Sequence, residues 1–174
     1  MLDLALMGEL PRELTDSFDR VVRQRENQVL RTAYRILCNW ADAEDVAQDV
    51  FLRLHRHGLG FATEAAFGAW LYRVTVNLCL DRLRSARPME ELPDLRGHGI
   101  SAEAELLREE QKRKLMVAMA GLPPKERAAI VLREIEGLST AEVASILGST
   151  EATVRSQVAN ALARLRTILK RQER

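Results

Sequence analysis

Three histidines and two cysteines are the side chains of this sequence best suited to hold a metal or attack a substrate, and their spacing suits neither task. His55 and His57 stand two apart in a helical stretch and cannot share a face. His98 lies in a segment broken by proline and glycine. Cys38 and Cys79 lack CxxC spacing and sit in apolar helical contexts, which reads as buried reduced thiols rather than a disulfide framework or zinc site. No catalytic residue, metal or cofactor is expected, so the chain is not expected to be an enzyme.

The chemistry that remains is recognition, and it falls in three places. From Asp42 to Asp49 the acids Asp42, Glu44, Asp45 and Asp49 stand without a base. Acids in a first helical turn suit the helix dipole, so an ordinary amphipathic helix and a protein-docking surface fit equally well. In AWLYRVTVNLCLDRLRSARP, residues 69–88, Arg73, Asn77, Asp81, Arg84 and Arg87 fall to one side of a helix. Trp70, Leu71, Val74, Leu78 and Leu83 can face a core. Asparagine is a poor helix former, so Asn77 invites a functional role, and aromatics beside arginines suit unpaired bases. Trp70 and Tyr72 also fit a plain core role.

The third place is LSTAEVASILGSTEATVRSQVANAL, residues 138–162. Ser139 and Glu142 form a capping box, Val143, Ile146 and Leu147 share a face, and Gly148 stops the helix. Thr150 caps a second helix whose Val154 and Val158 return to the core side. This is a helix-turn-helix, with the second helix suited to a major groove. Its outward positions are Ala152, Thr153, Arg155, Ser156, Gln157, Ala159 and Asn160, and only one is a cation.

Those sites must be positioned by helices, because no stretch alternates like a strand. The periodicity predicts helices over Leu14–Leu37, Ala41–His57, Thr63–Arg87, Ala102–Ala120, Pro124–Glu136, Ala141–Gly148 and Glu151–Arg171. Pro123 and Pro124 start the fifth, whose inner face is Ile130, Val131 and Ile135. PMEELPDLRGHGI breaks the pattern after Arg87. The expected fold class is all-α: two small helical domains, residues 1–88 and 106–174, joined by a flexible linker at 89–105. A chain of 174 residues, 47% hydrophobic, has enough apolar material for such cores.

The formal net charge of +1 excludes a wholly basic coat protein but not local patches. Residues 71–87 carry a local +3. Residues 155–174 carry +5, from Arg155, Arg164, Arg166, Lys170, Arg171 and Arg174 against Glu173. Between them, Glu90 to Glu110 hold seven acids against Arg96 and Arg108. Two basic surfaces on an acidic tether suit two contacts to one polyanion. The opening MLDLALMGEL is interrupted by Asp3 and Glu9 and is a poor signal peptide. No stretch reaches membrane-spanning length, so a cytoplasmic location without membrane insertion is expected.

Together these segments resemble a bacterial RNA polymerase sigma factor of the sigma-70 family, in the extracytoplasmic-function (ECF) group. The likeness runs from about Asp16 to Leu169 in two blocks. RTAYRILCNWADAEDVAQDVFLRLH with AWLYRVTVNLCLDRLRSARP resembles region 2. LPPKERAAIVLREIEGLSTAEVASILGSTEATVRSQV resembles region 4. The resemblance implies that Asp45, Gln48, Asp49, Leu52 and Arg53 dock the clamp coiled coil of the polymerase β′ subunit, with the β flap as a further contact. It implies that Phe61 and Asn77 take a flipped base of the −10 element, and that Arg82, Arg84 and Arg87 follow the adjoining backbone. Thr153, Arg155, Ser156, Gln157 and Asn160 would then meet the −35 element. An anti-sigma factor is an implied partner.

The sequence departs from the family in its last helix. Where a basic run is usual it reads TVRSQVANAL, with Gln157, Asn160 and Leu162 at positions where arginines are common. Leu162 extends an apolar stripe, while Gln157 and Asn160 can pair with adenine. The expected function is promoter recognition and assisted melting without chemistry of its own. The alternatives are a sigma-like decoy that binds polymerase or a regulator without reading DNA, and a dimeric operator-binding regulator, which lacks a clear dimerisation helix here.

Overall fold

The computed structural model describes residues 12–85 and 103–172, and all regular structure among them is helical. The linker expected at 89–105 falls largely outside these residues, and Arg87, expected along the DNA backbone, lies wholly outside them.

The first half is three helices: α1 (Arg12–Leu37), α2 (Trp40–His57) and α3 (Glu64–Ser85). α1 ends where Cys38 turns left-handed (φ 57°) and returns its amide to the Tyr34 carbonyl at 2.7 Å. The Asn39 side chain then accepts the Asp42 amide at 2.9 Å and starts α2. Val46, Val50 and Leu54, four apart, are all buried against α1 and α3. Gly58 closes α2 at φ 80°, a conformation that favours glycine.

The second half holds α4 (Glu103–Ala120), α5 (Pro124–Ile130), α6 (Thr140–Leu147) and α7 (Glu151–Gln172). The capping box at α6 is complete: Ser139 Oγ accepts the Glu142 amide at 3.2 Å, and the Glu142 carboxylate accepts the Ser139 amide at 2.7 Å. Gly148 ends α6 left-handed, and Thr150 Oγ1 accepts the Thr153 amide at 3.1 Å to begin α7. The helix-turn-helix is present as expected.

One element differs from expectation. The helix predicted over Pro124–Glu136 gives way after Ile130 to a π turn over Val131–Ile135, where the Glu136 amide reaches the Val131 carbonyl at 3.0 Å. That wider turn breaks the 3.6-residue phase on which the inner face was assigned. Ile130 and Val131 are buried, but Ile135 is 45% exposed. Leu132 is fully buried instead.

The two halves pack face to face. α3 lies against α5 and α6, and α1 lies against α4, α5 and the π turn. Val29, Ile36 and Val50 of the first half share one continuous core with Leu132, Val143 and Val154 of the second.

Candidate nucleic-acid and protein interfaces

α2 presents its outward face to solvent. Asp45, Gln48, Asp49, Leu52 and Arg53 are all exposed, while the buried Val46, Val50 and Leu54 hold the helix from behind. Leu52 is 51% exposed, a large apolar side chain beside acids. An apolar side chain ringed by charge is the composition of a protein-docking patch.

The second set lies on α3 and the loop before it. Phe61 is half-buried and stacks on His57 with ring centroids 4.9 Å apart, with Phe67 at 5.0 Å and Trp70 at 5.5 Å. Trp70, Asn77 and Arg84 recur every seven residues, so they share one stripe of α3. Asn77 is exposed on it. The stripe therefore leads from an aromatic cluster to an exposed amide.

The arginines nearby are less free than the sequence suggests. Arg82 donates from Nε to Asp42 at 2.8 Å and from Nη2 to Asp45 at 2.8 Å. Burial works against its charge, but these bonds outweigh it and hold the Arg82 pKa above its usual value. Arg84 pairs with Asp81, and Arg73 donates to Ser145 of α6 at 3.1 Å. Of the local +3, which already counts Asp81, acids from outside the stretch match Arg82 among the described residues.

On α7, Thr153, Arg155, Ser156 and Asn160 are exposed. Arg155 pairs with Glu151 one turn earlier at 3.4 Å. Gln157 differs: it is half-buried, and its Oε1 is buried without a hydrogen-bond donor. Arg164 is tied to Glu126 of α5 at 3.1 Å.

Sequence reasoning missed the polar set between the halves. The Glu136 carboxylate, 11% exposed, accepts from Thr32 Oγ1 at 3.0 Å, Arg35 Nη1 at 2.8 Å and the Tyr72 hydroxyl at 3.0 Å. Arg127, 5% exposed, donates to Ile36 O at 2.8 Å, Ala120 O at 2.7 Å and Leu122 O at 2.9 Å. It thereby caps the Ile36 carbonyl at the C-terminal end of α1 from the other half. Tyr72 is pushed up to about 12, first by burial and then by the Glu136 charge. The signals were available but quiet: Glu136 precedes a glycine, and Thr32 is polar on an apolar helix face.

The thiols are buried and free. Burial pushes Cys38 up, against the opposing charge of Arg127, and takes Cys79 up to about 12. Neutral, shielded thiols are poor nucleophiles. Among the described residues, no three His, Cys, Asp or Glu side chains gather to hold a metal, and no helix is long and apolar enough to cross a membrane.

Known proteins carry the same two regions in the same order. The sigma-70 region 2 family matches residues 21–88, and the sigma-70 region 4 family matches residues 112–165. The ECF RNA polymerase sigma factor SigM of Mycobacterium tuberculosis is 35% identical over 158 residues, spanning 88% of this chain and 77% of that protein. SigE of Mycolicibacterium smegmatis is 38% identical over 159 residues, spanning 88% of this chain and 62% of its own. In three dimensions the chain resembles the sigma factor RpoE from Bartonella quintana, solved with the anti-sigma factor NepR, with a TM-score of 0.71. That match covers 89% of this chain and 98% of the other at 21% identity, a likeness of fold. With both regions matched in order and a relative similar over most of its length, the chain belongs to the sigma-70 family of RNA polymerase sigma factors, in its ECF group.

Proposed function

We propose that this sigma factor brings core RNA polymerase to promoters through one protein-docking surface and two DNA-reading surfaces, and that an anti-sigma factor controls it. The α2 face of Asp45, Gln48, Asp49, Leu52 and Arg53 takes the β′ clamp coiled coil. The stripe from the Phe61 cluster to Asn77 takes an unstacked −10 base, with Arg82, Arg84 and Arg87 along the backbone. Thr153, Arg155, Ser156, Gln157 and Asn160 meet the −35 groove. Residues 1–88 and 106–174 serve as the two working domains, with 89–105 between them. The protein performs no chemistry and needs no cofactor.

The observation that carries this reading is the exposed Leu52 beside the exposed Gln48, Asp49 and Arg53 on a helix whose opposite face is buried. Capture of a base extruded from the stack favours the melted state because only that state offers the ligand. A recognition face whose outward positions 152–160 carry one cation suffices when polymerase holds both reading surfaces near the DNA at high effective concentration.

Binding of the full chain to bacterial core polymerase tests the docking role. Fluorescence polarisation should give a complex that Asp49→Lys weakens while circular dichroism of the variant stays unchanged. Equal binding by the variant would remove α2 from that role.

A further inference from the structure

We propose that the free chain holds itself closed, with the Glu136 carboxylate of the second half seated in a cradle of Thr32, Arg35 and Tyr72 on the first, and that this latch opens before both promoter elements are read.

Three independent donors converge on one carboxylate. Thr32 and Arg35 come from the last two turns of α1, and Tyr72 comes from α3. Thr32 is 1% exposed and the Glu136 side chain 11%, so these groups are matched where water is scarce. Bonds to an ionised acceptor are the stronger kind, and they are directional. The backbone aims the latch: the π turn carries Glu136 inward, and Gly137 beyond it adopts φ 74°, which strains any other residue. Arg127 fastens the same seam by capping Ile36 O, and Arg73 reaches Ser145 at its edge.

Closure restricts reach. A compact chain of this length has a radius of gyration near 16 Å, or roughly 40 Å across. Elements centred at −10 and −35 lie some 25 base pairs apart, roughly 85 Å along the duplex. The packed halves cannot serve both at once. The α2 face stays exposed in the closed form, so polymerase can engage it first. An equilibrium of this kind lowers apparent promoter affinity by the fraction of open molecules.

Small-angle X-ray scattering of the full chain without polymerase tests the latch separately from the sigma reading on which its consequence rests. The wild type should give a radius of gyration near 16 Å, and Glu136→Lys, which sets a cation against Arg35, should exceed about 20 Å as the halves part. Circular dichroism should show unchanged helix content. The paired swap Arg35→Glu with Glu136→Lys should restore the compact value, and Tyr72→Phe should give an intermediate one. Run with core polymerase at limiting chain, Glu136→Lys should raise transcript yield several-fold. An extended wild type, or a Glu136→Lys chain that stays compact, overturns the proposal. If Glu136→Lys loses its helices, the swap decides: a folded, compact double variant supports the latch, and a folded, extended one rejects it.

Discussion

The outward faces of α2 and α3 sit side by side yet stand in different states. On α2, Asp49, Gln48, Leu52 and Arg53 are exposed, ready for a partner. On α3, Arg82 is bound to Asp42 and Asp45, Arg84 to Asp81, and Arg73 to Ser145. The free chain therefore leaves Asp49 and Arg53 of the proposed docking face exposed, while Arg82 and Arg84 of the proposed DNA-reading face are held by acids of the chain. On the proposed reading, the protein meets polymerase before it meets DNA. One side chain links the faces, since Asp45 belongs to the α2 patch and holds Arg82.

The comparison breaks most visibly at Leu52. Leu52→Asp should weaken core binding roughly thirtyfold or more, the scale of an interface hot spot. Its thermal midpoint should hardly move, because exposed substitutions usually stay within about 0.5 kcal/mol. Polarisation titration beside a melting curve separates the two effects.

Asn77→Ala comes next. On the proposed role of its amide at the extruded base, the loss should lower open-complex formation about tenfold, one net hydrogen bond to a base. Potassium permanganate footprinting on the melted strand reports it, and core binding should stay as in the wild type. Gln157→Ala should change −35 preference only a few-fold, below the 1–3 kcal/mol of a full bidentate pair, because its Oε1 is buried. A randomised −35 library read with polymerase present measures that shift.

Arg82→Ala sharpens the contrast itself. Exposed ion pairs contribute about 0–1 kcal/mol, so chemical denaturation should show a small loss. In the polymerase complex the salt dependence of promoter binding should fall by roughly one unit of slope, while the free chain shows none of this change. An equal change in both would mean that Arg82 is free for DNA from the start.

A separate effect, read on stability alone, is a matter of pH. Folding raises the Tyr72 pKa from 10 to about 12, so the folded state holds that proton more tightly. Its contribution is whole below pH 10 and is lost as pH rises towards 12. Denaturation at pH 9 and pH 11 should show the drop, and Tyr72→Phe should flatten it.

Much of this was legible in the sequence for a physical reason. Val46, Val50 and Leu54 repeat at four-residue spacing, and Ser139 with Glu142 closes a box, so local rules fix those helices and their buried faces. The π turn was not legible, because one extra residue in a turn leaves the composition unchanged and moves only the phase, which is why Ile135 was placed inward. The ties of Arg82 and the cradle of Glu136 join residues 37 to 104 positions apart. No spacing rule reaches that far. Summed charge over residues 71–87 reads as a basic face but cannot show that Asp42 and Asp45 of α2 already hold Arg82.

Transcription by bacterial core polymerase on a library of randomised promoters, with and without this chain, tests the central claim most directly. Transcripts that depend on the chain, share spaced −10-like and −35-like elements, fall with Asn77→Ala and shift a few-fold in −35 preference with Gln157→Ala are the predicted result. A chain that binds core through α2 yet yields no promoter-dependent transcript would contradict promoter reading and leave a decoy.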